Sequence, residues 1–365
     1  MKKTAVLICV IIVVSLLAGA CASAGGETAL EYKGYKISEA MYGYWSARFK
    51  KNILYSYNNN KDTQEFWNSE VMDGITAEKY FTDIINDQIY KYCIGLQLFD
   101  EYGLKLDPSV KEAIDEDINE KIEYYGSRAA LNSVLAGLGL NINLLRDIYL
   151  TEEKLNAVYR YLFGEGGPEA LTDEEYIQYF KDNYWHIKYI VIYTTKLVTD
   201  SKGNYKYDSD GSLMTEDLTE EELAAKLAKA DEALEKARAG EDFDELIKAY
   251  SEYDTSAYPN GFYLSVNEIS TYGSEIIAAL PGMKAGDVAR IDEESSIFII
   301  KKLELPDWNA LGESDLVQLA DLEDYAKSEK FEAKMSALYS EVKANSEILD
   351  KYRLSELLMI SDSNL

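Results

Sequence analysis

The spacing of hydrophobic residues divides the chain into two kinds of segment. From about residue 31 to 165, apolar residues recur every three or four positions, as in Met41, Trp45 and Phe49, behind the candidate N-cap Ser38. This spacing is that of the buried face of an amphipathic helix. The sequence therefore predicts a mainly helical N-terminal region.

The pattern changes after the glycine- and proline-containing stretch FGEGGPEA. HIKYIVIYTT (186–195) and SSIFIIKKLEL (295–305) have the apolar, β-branched composition of buried strands. Between them, Leu223 to Gly240 carries a helical stripe, and residues 200–212 form a polar loop. A strand followed by helices and a second strand predicts an α+β class.

The chain is predicted to be helical again from Pro306 to its end. This tail is too short to enclose a core of its own, and an amphipathic helix needs a partner for its apolar stripe. We therefore expect residues 306–365 to pack on the N-terminal helices.

The sequence predicts an export signal at the N-terminus. Lys2 and Lys3 precede an apolar run that ends in LLAGAC, and the run is shorter than a membrane span. The stretch LAGAC resembles the lipobox of bacterial lipoproteins, in which cleavage leaves a lipidated cysteine, here Cys21. We expect the chain to be anchored by this lipid to the outer face of the bacterial cell membrane, with plain secretion as the alternative.

Charge and composition exclude several classes of function. The formal charge is −28, so nucleic acid and anionic lipid are poor partners for this surface. A single histidine excludes a His-rich metal centre, and we expect neither metal nor cofactor. After processing, Cys93 has no cysteine partner in the chain, and its helical apolar setting indicates a small buried hydrophobe.

Residues 172–305 contain five motifs in a characteristic order: IKYIVI, EDFDELIKAYSEYDTSA, YPNGFYLSVNEI, MKAGDV and SIFIIKKLEL. Through these motifs the segment resembles the parvulin family of peptidyl-prolyl isomerases. The first three resemble the opening strand, the helix that ends before a Ser-Ala pair, and the glycine turn with its strand. The last two resemble the turn that introduces the last strands and the closing strand. The architecture as a whole resembles the extracytoplasmic foldases of the PrsA and SurA type, although the helical flanks match only in kind.

The resemblance implies a domain organisation. We expect a signal peptide (1–20), a lipidated tether (21–30), a helical N-terminal domain (31–165), a parvulin-like domain (172–305) and the C-terminal helical segment (306–365).

The resemblance also implies a site, and its match here is partial. The family has two core histidines and an acid or cysteine. Asp254 lies at the acid position, whereas Tyr189 and Phe298 lie at the histidine positions. Leu264 and Ile269 lie at apolar proline-pocket positions, and Ile276 is a third candidate.

His186 is not a substitute for the absent histidines. Side chains alternate along a strand, so residues 186 and 189 point to opposite faces. If Tyr189 faces the site, His186 faces away from it, and we interpret His186 as structural.

Three functions follow from this resemblance. The first is a chaperone for unfolded or proline-containing secreted polypeptides, with a degenerate isomerase site. The second is an isomerase that works with Tyr189 and Phe298, and the third is a scaffold for one dedicated partner. A homodimer is left open.

Overall fold

The computed structural model describes residues 25–72, 74–207, 213–268 and 273–360. The predicted signal peptide (1–20), Cys21 and Ile269 lie outside these ranges. The chain divides into two compact units. The helical unit comprises the described residues up to Ala170 and those from Glu329 onward, and the sheet unit comprises Leu171–Ser328. Across the described ranges, no helix combines the length and apolar content that crossing a membrane requires.

The helical unit is built on long helices with side-chain caps. Its helices are α1 (Glu39–Tyr57), α2 (Gln64–Asn68), α3 (Ala77–Glu101), α4 (Pro108–Tyr124), α5 (Arg128–Ala136) and α6 (Ile142–Phe163). The hydroxyl of Ser38 accepts a hydrogen bond from the amide of Met41, which caps α1 as the sequence predicts. Trp45, Trp67 and Phe163 are fully buried in this unit.

The C-terminal segment adds to the helical unit. Strands β1 (Thr28–Tyr32) and β2 (Tyr35–Ser38) are joined by β11 (Lys343–Ala344) in the antiparallel order β11-β1-β2. Further along, the Lys50 ammonium donates to the carbonyl of Leu357 at 2.6 Å. The described residues of this unit also include the hairpin β3 (Glu70–Met72) and β4 (Ile75–Thr76) and the short helix α13 (Ser346–Leu349).

The sheet unit is an antiparallel sheet covered by helices on both faces. Its strands are β5 (Tyr184–Tyr193), β6 (Thr195–Leu197), β7 (Thr215–Asp217), β8 (Phe262–Ser265), β9 (Val288–Asp292) and β10 (Ser296–Leu303). Its helices are α7 (Asp173–Asn183), α8 (Glu220–Arg238), α9 (Phe243–Tyr250), α10 (Ser274–Ala279) and α11 (Glu313–Gln318); α12 (Leu322–Ser336) begins here and ends beyond Ser328.

The four main strands run in the order β8-β5-β10-β9, and every pair is antiparallel. On one face, Ile190 and Ile192 pack against alanines and leucines of α8 and α9. On the other face, Ile187 and Val191 pack against residues of α10 and of β8. The α+β class expected from the sequence is therefore confirmed.

The end of the sheet unit differs from the sequence-based expectation. Residues 306–328 were expected to pack with the N-terminal helices, but they belong to the sheet unit. The physical reason is burial, since Leu319 and Leu322 pack in one cluster with Phe180 and Tyr263. Only the part from Glu329 onward lies in the helical unit.

Candidate functional site

Strand β5 places Tyr189 on one face of the sheet. Alternation puts Ile187, Tyr189 and Val191 on the face that packs against α10, while Ile190 lies on the other face. Only 6% of the Tyr189 surface is exposed. The candidate site is thus built on a central strand that is largely buried.

Phe298 lies next to Tyr189 on the same face. Phe298 is directly opposite Val191 in the β5–β10 pairing. Val191 is two residues from Tyr189 on β5, so all three side chains lie on the same face. The two rings meet edge to face, with centroids 5.6 Å apart and an interplanar angle of 76°. The two positions that resemble the family's histidines therefore form an aromatic pair, which lacks ring nitrogens that can exchange hydrogen bonds.

Three further aromatic side chains extend this pair. Phe262 stacks on Tyr189, with centroids 4.5 Å apart and planes at 18°. Tyr258 lies 4.8 Å from Phe262, and Tyr253 lies 6.3 Å from Tyr189. We call these five rings the aromatic cluster: Tyr189, Phe298, Phe262, Tyr258 and Tyr253.

A glycine turn positions Phe262. Gly261 has a φ of +108°, a backbone conformation that L-residues with a side chain rarely adopt. A Cβ at Gly261 would also lie 2.4 Å from the carbonyl oxygen of Ile187. The turn in YPNGF therefore requires glycine, and it delivers Phe262 to the start of β8 beside Tyr189.

Two cavities border the aromatic cluster, and together we call them the aromatic cleft. The loop-side cavity, about 640 Å³, is also lined by Asp254 and Lys188. The sheet-side cavity, about 480 Å³, is also lined by Phe298 and Tyr193. Both are lined by the same four rings, Tyr189, Tyr253, Tyr258 and Phe262. Volumes of this size are typical of sites for small ligands or short peptide segments.

Asp254 lies in the loop-side cavity and holds a turn. Its carboxylate accepts a hydrogen bond from the amide of Ser256 at 2.8 Å. That backbone hydrogen bond lowers the pKa of Asp254, so the side chain is a carboxylate at neutral pH and cannot donate a proton there. The structure thus places the predicted acid beside the aromatic cluster and gives it a structural contact as well.

The segment before Asp254 is fixed to the end of β5. The amide of Glu252 donates to the carbonyl of Val191 at 2.8 Å. The Glu252 carboxylate accepts from the amide of Tyr193 at 3.0 Å and from Lys226 and Lys229 at 2.6 and 2.9 Å.

The ionisation of Glu252 follows from these contacts. Burial opposes its negative charge, but the hydrogen bonds from the two lysines and the amide outweigh burial and lower its pKa. Glu252 is therefore an ionised anchor for the loop that carries Tyr253 and Asp254.

The predicted proline-pocket residues are part of the core. Leu264 is 0% exposed and Ile276 is 1% exposed, and both pack in the cluster that includes Tyr189. Neither lines the aromatic cleft. Both belong to the core against which Tyr189 and Phe262 pack. Ile269, the third predicted pocket residue, lies outside the described residues.

His186 lies on the face of β5 opposite Tyr189. Its Nδ1 is 2.9 Å from the carbonyl of Glu304 and its Nε2 is 2.8 Å from the carbonyl of Asn260. The imidazole also stacks on Tyr263, with centroids 4.7 Å apart. It links the glycine turn to the end of β10, which is a structural contact. Within the described ranges, no three His, Cys, Asp or Glu side chains are grouped to hold a metal ion.

Tyr253, Tyr258 and Phe262 were not predicted as site residues from the sequence. Two features of the sequence could have indicated them. Tyr258 and Phe262 flank the glycine turn in YPNGFY, and Tyr253 directly precedes Asp254. Each belongs to a loop or a neighbouring strand, so only the tertiary fold brings these rings to Tyr189.

The chain was also compared with known proteins. No family model and no curated protein matches it. It is similar to the solved structure of foldase PrsA from Streptococcus pneumoniae, with 19% identity over 81% of this chain and 95% of that chain and a TM-score of 0.23. It is also similar to PrsA from Bacillus subtilis, with 18% identity over 84% of this chain and 97% of that chain and a TM-score of 0.23. A third similar structure is the peptidylprolyl isomerase PrsA from Bacillus anthracis, with 16% identity over 77% of this chain and 100% of that chain and a TM-score of 0.25.

All three matches have identities below 20% and TM-scores of 0.23 to 0.25. The function is therefore argued from the residues of the aromatic cleft.

Proposed function

We propose that this protein is a lipid-anchored extracytoplasmic folding factor whose aromatic cleft binds proline-containing segments of unfolded secreted polypeptides. The export signal and the lipobox-like LAGAC stretch support the location, with Cys21 as the lipidated residue. The resemblance of residues 172–305 to parvulins supports the ligand class.

The observation that carries the proposal is the aromatic pair at the family's histidine positions. Tyr189 and Phe298 face one cleft and are continued by Phe262. Aromatic faces pack well against an apolar ring such as that of proline. A cleft lined by such rings retains the shape for holding proline after the loss of both imidazoles.

The same observation argues against efficient isomerisation. An X-Pro bond rotates over a barrier of about 18–20 kcal/mol, and a catalyst must bind the twisted amide more tightly than the planar one. Tyr189 and Phe298 cannot reproduce the hydrogen bonds of an imidazole pair. We therefore expect binding with little or no acceleration.

Peptide binding tests the proposal directly. We would titrate the chain from Ala22 onward with a short Ala-Pro peptide and with its Ala-Ala counterpart, by isothermal calorimetry. The Ala-Pro peptide is expected to bind more tightly, and Phe298→Ala should weaken it by about tenfold because apolar contact is lost. Equal binding of the two peptides would refute the proposal.

A matched control separates the cleft from the rest of the surface. Tyr124, which is 64% exposed, lies in the helical unit outside the aromatic cleft. Tyr124→Ala removes an aromatic ring there and should leave binding of the Ala-Pro peptide unchanged.

One observation favours a second function, an active isomerase. The Asp254 carboxylate lines the same cavity as Tyr189, in the position of the family's acid. On this alternative, the unmodified protein accelerates isomerisation and Asp254→Ala reduces that acceleration. Binding without acceleration excludes it.

A further inference from the structure

A small β-arm follows directly after β5. It consists of residues 195–207 and 213–217, with β6 paired to β7 and further bridges from Thr199 to Tyr205 and from Tyr207 to Leu213. The sequence had predicted only a polar loop over 200–212. In its described part, residues 200–204 form a turn, and Tyr205 and Tyr207 then form isolated bridges to Thr199 and Leu213.

The backbone of the arm closes on itself. Three hydrogen bonds of 2.9 Å form a ring, in which the Val198 amide donates to Met214, the Met214 amide to Lys206, and the Lys206 amide to Val198. Both main-chain groups of all three residues are thereby used. At these three residues no main-chain group is left for an added strand, so a partner is bound there through side chains.

One face of the arm exposes large apolar side chains. Residues directly opposite each other in antiparallel strands share a face, as do residues two apart on one strand. These relations place four exposed side chains on one face: Leu197 at 44%, Tyr205 at 54%, Tyr207 at 58% and Leu213 at 44%. We call this the arm face. The opposite face carries the ion pair of Lys196 with Glu216.

The turn beyond Thr199 is held in one shape. The Asp200 carboxylate accepts from the amides of Lys202 and Asn204 at 2.8 and 2.9 Å, and Gly203 has a φ of +83°. A surface that is already ordered loses little conformational entropy on binding.

The arm face begins at the rim of the aromatic cleft. Tyr193 lines the sheet-side cavity and is 40% exposed, and Leu197 follows four residues later. Four residues of extended chain span at most about 14 Å. A polypeptide held in the cleft therefore has the arm face within reach of the residues that flank its bound segment.

We propose that the arm face is a second contact surface, which binds apolar and aromatic side chains of an unfolded polypeptide on one side of the segment held in the aromatic cleft. This inference rests on the proposed function. Exposed clusters of large apolar residues mark interaction sites, and tyrosine supplies contact area with a polar tip. Because Leu197 is joined to the cleft by a short stretch of chain, we assign this surface to the client polypeptide.

The test compares a long ligand with a short one. The long ligand is ribonuclease A that has been reduced and carboxamidomethylated, so that it stays unfolded; the short one is the Ala-Pro peptide. Affinities of the chain from Ala22 onward are measured at physiological salt, with Tyr205→Ser combined with Tyr207→Ser as the test variant. The control combines Lys196→Ser with Glu216→Ser on the opposite face of the same arm.

The expected result is a loss of about tenfold in affinity for the long ligand, equivalent to about 1.4 kcal/mol, with unchanged affinity for the short peptide and an unaffected control. Unchanged binding of the long ligand overturns the inference, and so does an equal loss for both ligands. If the unmodified chain binds the short peptide but the arm variant leaves the long ligand unaffected, only the arm inference fails. If the unmodified chain binds only the long ligand, the cleft proposal fails, and the arm face cannot be a second contact beside a segment held in the cleft. If the unmodified chain binds neither ligand, both fail.

Discussion

The ring of Tyr189 on β5 meets the ring of Phe298 on β10 edge to face, with centroids 5.6 Å apart. These are the two positions at which the parvulin resemblance places histidines. The contact therefore puts two packing side chains where the resemblance places two hydrogen-bonding ones. On the function proposed above, such a cleft holds an apolar ring but does not stabilise a twisted amide.

Restoring both imidazoles should increase isomerase activity. We expect Tyr189→His combined with Phe298→His to raise the rate for a short Ala-Pro peptide at least about tenfold over the unmodified chain, a change of about 1.4 kcal/mol in the barrier. A protease-coupled or NMR exchange assay measures this rate. Phe262→His is the matched control, because it adds an imidazole to the cluster outside the two positions and should not raise the rate.

Loss of the His186 imidazole should destabilise the sheet unit. In His186→Phe, the carbonyls of Glu304 and Asn260 lose their contacts with the ring nitrogens, while stacking on Tyr263 is retained. We expect the free energy of unfolding to fall by about 1–3 kcal/mol, measured in urea. His186→Gln keeps part of the hydrogen bonding, so its stability should lie between those of His186→Phe and the unmodified chain. If His186→Phe is as stable as the unmodified chain, the structural interpretation of His186 is contradicted.

Cys93 should be unreactive in the folded protein. Its side chain is 0% exposed, and burial raises the pKa of the thiol to about 12, so very little thiolate forms at pH 8. With the chain from Ala22 onward, we expect negligible reaction with a chromogenic disulfide reagent until urea unfolds the protein. Rapid reaction under native conditions would show that the thiol is accessible.

The Glu252 anchor should contribute to stability above its ordinary pKa and lose that contribution in acid. Its pKa is lowered in the folded state, so folding favours the ionised form, and the contribution fades as pH falls below the ordinary value of 4.5. We expect Glu252→Gln to cost about 1 kcal/mol at pH 7. The difference from the unmodified chain should be much smaller at pH 3, and urea unfolding at the two pH values measures both.

Local signals in the sequence were sufficient to predict the main helices and the two long strands β5 and β10. Ser38 caps α1 as the sequence predicts, and the capping boxes of Thr172 with Glu175 and of Thr219 with Glu222, which begin α7 and α8, are also made by residues three apart. Alternation along β5 likewise separates His186 from Tyr189. These features depend on neighbouring residues, which is why sequence alone suffices to predict them.

The parts that sequence reasoning missed depend on contacts distant in the chain. Tyr253 and Phe262 come from a loop and a neighbouring strand, and nothing local links them to Tyr189. The apolar stripe of Leu319 and Leu322 could be buried against any core, so the sequence did not reveal that it packs in the sheet unit. Leu264 matches a pocket position by pattern, yet its neighbours bury it completely.

The most direct measurement is exchange NMR on a short Ala-Pro peptide in the presence of the chain from Ala22 onward, which reports binding and cis-trans isomerisation in one sample. We predict that the proline resonances shift or broaden on addition of the protein, while the isomerisation rate stays close to that of the free peptide. Strong acceleration that is lost in Asp254→Ala would contradict the account and identify the protein as an active isomerase. Unaltered peptide resonances would contradict binding in the aromatic cleft.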